Sequence, residues 1–197
     1  EGLSTSQMSQ AQGYDAIKGW GFAATPSMLT NRSEESISFL TLTIPPRSVV
    51  VHPSPSSAAV VAWKSPVAGH FELNCSVADA DNKCGNGSTW RIEHRTKWGT
   101  KLVAEGVMEN GGADRWSSIR PLNMDRGDVI ALMILPRDKN HGCDTTHVEL
   151  KLVELEGHER KWILSDQVVD RVHEGNPMAD TFGHADVWHF GQSVPES

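Results

Sequence analysis

Long apolar runs are missing from this 197-residue chain. No stretch approaches the ~20 residues that a membrane-spanning helix needs. There is no basic stripe, and the net charge is −7, which makes the backbone of a nucleic acid an unfavourable partner. Cysteines number only three. None forms CxxC or CxxCH, so paired zinc spacing and covalent haem attachment have no basis. No GxSxG elbow presents a nucleophile. The glycine loops GNG and NGGAD lack the Lys-Ser/Thr and the helix of a phosphate cradle. No signal peptide is legible, and the start EGLSTSQ, without Met, reads as a trimmed or excised piece.

What is present is strand chemistry. Short runs rich in Val, Ile, Leu and Thr are separated by turn residues: 36–44, 48–53, 58–66, 70–79, 88–96, 100–109, 128–137 and 146–156. Phe71, Leu73, Cys75 and Val77 alternate with period two, as do Val148, Leu150 and Leu152, with Leu155 closing that run. Lys97-Trp98-Gly99 reads as a hairpin loop. A spacing of about 8–15 residues belongs to an all-β antiparallel sandwich rather than to βαβ units. Residues 164–175 are the best helix candidate, with Ser165 or Asp166 as cap. The expected organisation is an irregular lead-in over 1–35, a sandwich over 36–190 and a tail over 191–197. The C-terminal stretch holds Trp162, Phe182, Trp188 and Phe190 without regular spacing. It reads as a belt that turns at Asn176-Pro177 and closes a sheet edge.

Cys84 and Cys143 lie in polar loops (KCGNG and HGCDTT), and Cys75 lies in a strand. A Cys84–Cys143 disulfide, with Cys75 free and buried, is the simplest pairing and would imply export. Asp79 and Asp81 alternate before Cys84. Counted from Asp79, an EF-hand would need an oxygen ligand where Lys83 stands, Gly at Cys84 and Glu at Trp90, so that pattern fails. A solvated turn is the first reading of this stretch. Ca²⁺ held by Asp79, Asp81 and carbonyls of other loops is the second. His173, His184 and His189 have no spacing that fixes two ligands on one element and read as hydrogen-bonded residues.

Seven tryptophans against one tyrosine is the compositional signal. An indole has one N–H that wants a partner and a face suited to the C–H side of a sugar ring. Trp63 reads as core, and Trp90, Trp162 and Trp188 as at least half-buried. Trp98 at a hairpin tip, and Trp116 beside Asp114 and Arg115, are candidates for a ligand platform.

The segments VHPSP, AWKSP, ADADNKCGNGSTW, HGCDTT and NPMAD…VWHF resemble a module of large exported proteins of planctomycete-type bacteria, often joined to c-type cytochrome domains. The resemblance covers roughly 36–190. It implies a jelly-roll-like sandwich that binds carbohydrate, and it draws attention to His52, Trp63, Asp79, Asp81, Cys84, Trp90, Cys143, Asp144 and Thr145. It also implies that the two cysteine loops meet in a periplasmic disulfide and that any haem belongs to another domain. The expectation is therefore a non-catalytic polysaccharide-binding module, periplasmic or extracellular. Trp98, Trp116, Asp114, Arg115, His52 and Asp144 are its ligand-binding candidates. The rival readings are a structural or protein-docking sandwich and a polysaccharide lyase or glycosidase. The enzyme needs paired acids or a perturbed base, and a Tyr base would have only Tyr14 to draw on.

Overall fold

The computed structural model describes residues 7–8, 13–21 and 25–193, with the backbone alone at 7–8. In chain order the elements are β1 (Gln7–Met8), β2 (Ile17–Gly21), β3 (Ser27–Asn31), β4 (Ile37–Phe39), β5 (Leu42–Ile44), β6 (Ser48–His52), β7 (Ala58–Lys64), β8 (Gly69–Asp79), β9 (Ser88–Thr96), β10 (Gly99–Met108), β11 (Ala113–Ser117), β12 (Leu122–Met124), β13 (Val129–Pro136), β14 (Thr146–Glu154), β15 (Lys161–Ile163), α1 (Leu164–Val168) and β16 (Trp188–Ser193). Two antiparallel sheets form a sandwich. The larger runs β1-β2-β3-β6-β14-β8-β11, with β12 also on β8 and β15 on β14; the smaller runs β10-β9-β13-β7-β16.

Alternation builds the core. Phe71, Leu73, Cys75 and Val77 of β8 and Val148, Leu150 and Leu152 of β14 face Val61 and Trp63 of β7, Ile92 of β9 and Ile130, Leu132 and Ile134 of β13. Four tryptophans, Trp63, Trp90, Trp162 and Trp188, are buried in it. Trp63 packs edge-on against Phe71 and Trp162, with centroids 5.3 and 5.2 Å apart. Trp162 Nε1 donates to Asp180 (2.8 Å) and Trp188 Nε1 to Gln167 (2.9 Å), which offsets the cost of burying each indole N–H.

Several expectations change. Within the described part of the lead-in, β2 and β3 extend the larger sheet beyond β6. The run 36–44 is two short strands turning at Leu40 (φ 53°), and their apolar side chains cover Ile17, Leu29 and Val50 on that sheet's outer face. The helix stops at Val168, short of 175, and its N-cap position falls on Ile163, which offers no side-chain cap; the Glu149 carboxylate of β14 accepts from Ser165 N–H instead (3.2 Å). Residues 191–193 of the expected tail belong to β16, which lies along β7. Asn176 then does for β16 what another strand would: its amide donates to Phe190 C=O (2.6 Å) and accepts from Phe190 N–H (2.9 Å). The belt thus covers part of an edge, as expected. The outer ends of the chain, 1–6, 9–12 and 194–197, and residues 22–24 lie outside the described residues.

On β14 the inward position after Leu152 belongs to Glu154 rather than to Leu155, which is exposed. A buried carboxylate there needs a counter-charge. Arg160 supplies it through Nε (2.9 Å), Nη2 (3.0 Å) and its backbone N–H (3.3 Å). These hydrogen bonds hold the Glu154 carboxyl below its ordinary range. The pair's contribution is fully present above the unfolded-state value of about 4.3 and is lost as pH falls through the lower folded value. Glu154→Gln should lower stability by about 2 to 3 kcal/mol at neutral pH. The gap to the parent should narrow in acid, which urea unfolding across pH will check.

Candidate functional site

The two sheets part along one side, where edge strand β10 faces β11 and β12. An open groove of about 550 Å³ runs there, lined by His94, Lys101, Leu102, Val103, Trp116, Ser118, Ile119, Arg120 and Leu122. Local irregularities make it. Pairing of β10 with β9 shifts between Leu102 and Ala104, a bulge that lets three consecutive residues line one wall. Opposite, β11 and β12 both pair with β8, but residues 118–121 leave the ladder between them. Pro121 has no N–H to give that ladder. Ser118 anchors the excursion, its N–H donating to Leu73 C=O (2.8 Å) and its Oγ accepting from Leu73 N–H (3.0 Å). Ile119 is left 96% exposed.

Trp116 pairs with Cys75 and so sits on the inner side of β11, partly buried against the core and partly forming the groove wall. His94 is held by Asp128, Nε2 to Oδ2 at 3.0 Å, leaving Nδ1 as its other polar atom. No acidic residue lines the groove. Lys101 and Arg120 are exposed and, among the described residues, make no ion pair or side-chain hydrogen bond. Trp98 is 86% exposed at the two-residue turn between β9 and β10, with Lys97 Nζ 5.2 Å from its ring centre. A Lys97–Asp125 contact of 3.9 Å sets this turn near the end of β12.

The remaining ligand candidates are not in the groove. Asp114 shares the inner side of β11 with Trp116, but its carboxylate accepts from Trp90 Nε1 (3.0 Å). Gly106 makes that possible, since a Cβ there would stand 2.6 Å from the same nitrogen. Arg115 pairs with Ser76 and points to the outer face. His52 and Asp144 lie at the far end of the larger sheet, where β6 and β8 end and β14 begins. An eleven-residue strand, roughly 35 Å long, separates that end from β12. The two sets therefore cannot grip one sugar together.

That far end holds the cysteine loops. Cys84 and Cys143 are bonded, Cα–Cα 5.5 Å, and Cys75 is free and buried as expected. The stretch ADADNKCGNGSTW is the end of β8, the disulfide loop and the start of β9. Asp79 and Asp81 brace it: Asp79 accepts from Asp81 N–H (2.7 Å) and Gly111 N–H (2.6 Å), and Asp81 from Thr41 Oγ1 (2.9 Å). Among the described residues, no three His, Cys, Asp or Glu side chains are grouped to hold a metal. Asp144 is 3% exposed, and its carboxyl is pushed up to about 7 by burial first and by the Asp79 charge second. Both of its oxygens are sealed from solvent, so it is no general acid for a polymer outside. The three C-terminal histidines meet local partners: His173 the Gly19 backbone, His184 the Asp180 carboxylate (2.7 Å) and His189 the Asp186 carbonyl (3.1 Å).

Of the candidates expected from the sequence, Trp116 lines the groove and Trp98 is exposed at the β9–β10 turn; His94, Lys101, Ile119 and Arg120, which also line the groove, are not among those candidates. The signal available for the last two was IRP: an apolar residue between turn-forming neighbours, with no alternation partner.

No family model matches the chain, and neither a curated protein nor a solved structure matches it.

Removing the disulfide with Cys84→Ser and Cys143→Ser should lower stability by about 4 kcal/mol, given the 59-residue separation. Guanidinium unfolding measures it. Cys75, whose thiol burial pushes up to about 12, should react with a thiol reagent only on unfolding.

Proposed function

We propose that the chain binds polysaccharide without cleaving it, in the groove between β10 and the β11–β12 edge, and that acidic sugars are its preferred class. One observation carries this reading: an indole, Trp116, and two unpaired cations, Lys101 and Arg120, line the same groove, which has no acidic lining. The apolar wall of Trp116, Leu102 and Ile119 suits the C–H faces of sugar rings. Lys101 and Arg120 suit carboxylate or sulfate substituents, and His94 and Ser118 suit hydroxyls. In a protein of net charge −7, a local positive groove selects against its own surroundings. Trp98 extends the platform beyond the groove.

A periplasmic or extracellular location fits the disulfide. No helix among the described residues is long and apolar enough to cross a membrane. As a module, the domain would raise the effective concentration of attached domains on the polymer, a c-type cytochrome being the kind of neighbour that the resemblance implies. The exposure of Ile119 and Trp98 also suits a protein partner, and the same test separates the two.

Affinity electrophoresis in gels containing polygalacturonate, or neutral galactan in its place, is that test. Retention by the uronate polymer, weakened by salt, with no new reducing ends, is the expected result. Lys101→Ala, Arg120→Ala and Trp98→Ala should each weaken retention, by about tenfold where the side chain is a hot spot. Trp116→Ala should weaken it further, with circular dichroism confirming the fold. Folded protein that passes all polymers unretarded overturns the reading and favours a protein-docking surface.

A further inference from the structure

Buried polar atoms in folded proteins nearly always have a partner. Among the described residues, four side-chain oxygens are buried without one: Asp81 Oδ1, Asn86 Oδ1 and both oxygens of Asp144. All four belong to the two loops that the Cys84–Cys143 bond ties together. The other buried atoms without partners, Trp63 Nε1 and Arg171 Nη1, are nitrogens elsewhere in the fold. A shortage confined to acceptors, in one place, is a shortage of hydrogen-bond donors or of a cation.

Asp144 is the centre of it. At 3% exposure, neither of its oxygens has a donor, and an ionised carboxylate in that setting is strongly unfavourable unless a cation joins it. Its neighbours offer oxygen. Gly85 lies so close that a Cβ would overlap the Gly142 carbonyl oxygen and stand 3.4 Å from Asp144 Oδ1. That carbonyl and that carboxylate oxygen therefore converge beside the Gly85 backbone. Asn86 follows directly in the chain. Its Nδ2 donates to Arg137 C=O (3.1 Å), which fixes the amide and leaves Oδ1 without a partner. Asp79 adds a second negative charge within electrostatic reach. Asp81 is placed differently, with Thr41 on Oδ2 and its charge acting on His52.

We infer that the junction of the two cysteine loops is a binding site for a hard divalent cation of the calcium class, anchored by Asp144, with Asn86 Oδ1 and the Gly142 carbonyl as neutral ligands and Asp79 at its edge. Calcium accepts about six to eight oxygens in flexible geometry and tolerates water among them, whereas magnesium demands a near-ideal octahedron. Zinc would need the grouped His and Cys ligands that the described residues do not provide. The expectation of calcium at Asp79 and Asp81 is thereby moved: the anchor is Asp144, and Asp81 belongs to the outer bracing of the loop. The site is independent of the groove.

Thermal unfolding of the full chain in calcium chloride and in EDTA tests this. Calcium at a hundredfold excess over its Kd should raise the parent's midpoint by about 5 to 10 °C. Asp144→Asn, which keeps the shape and removes the charge, should fold in EDTA and show no calcium shift. Asp81→Asn should keep the shift. Should Asp144→Asn fail to fold, terbium luminescence on the parent, displaced by calcium, carries the same decision. Equal midpoints for the parent in calcium and EDTA with no terbium signal overturn the inference. So does a full calcium response in a folded Asp144→Asn.

Discussion

The pleat of β8 is the constraint on which the rest of the structure depends. Its eleven residues put Phe71, Leu73, Cys75 and Val77 on one face, and a slip of one residue would turn all four outward. Both of its edges are used: β14 runs along one, and β11 and β12 share the other. With that register fixed, Trp116 must lie inward opposite Cys75 and Arg115 outward opposite Ser76. At the strand's end, Asp79 is held opposite Thr146, with the disulfide loop following directly. One strand thus positions the groove wall near one pole and the cysteine loops at the other.

Chemistry differs between the poles because the loops differ. At the groove pole, a bulge in β10 and an excursion at 118–121 leave side chains outside any ladder, in contact with solvent. At the cysteine pole, a covalent bond draws two polar loops together tightly enough to bury carboxylate and amide oxygens. The first arrangement suits an extended ligand that arrives and leaves. The second suits an ion taken up as the chain folds.

Much of the fold was legible because alternation reports directly on which face is buried. The strands 70–79, 88–96, 128–137 and 146–156, the Lys97-Trp98 turn and the free, buried Cys75 follow from period two and turn chemistry. The breaks in the pattern were less legible. Leu155 reads as closing the β14 run, whereas Glu154 takes the inward position, because its counter-charge, Arg160, sits beyond a turn. The lead-in looked irregular because β2 and β3 are short and β2 carries Gly19 and Gly21, which suit close backbone approach better than strand propensity. Asp114 looked like a ligand residue because nothing in the sequence reveals that Trp90 reaches it across the sandwich. The groove was half legible: tryptophans announce themselves, whereas Lys101 and Arg120 acquire meaning only when two distant edges are set side by side.

The groove's walls have a kinetic consequence. One wall is the edge strand β10; the other is β11 with the excursion 118–121, which Ser118 pins to Leu73. The separation of the sheets, roughly 10 Å, sets the width together with that excursion. A ligand arriving there meets a wall that is largely built from paired strand. For the proposed polysaccharide ligand, residence at one groove would then be brief, and lasting attachment would come from rebinding along its repeated units.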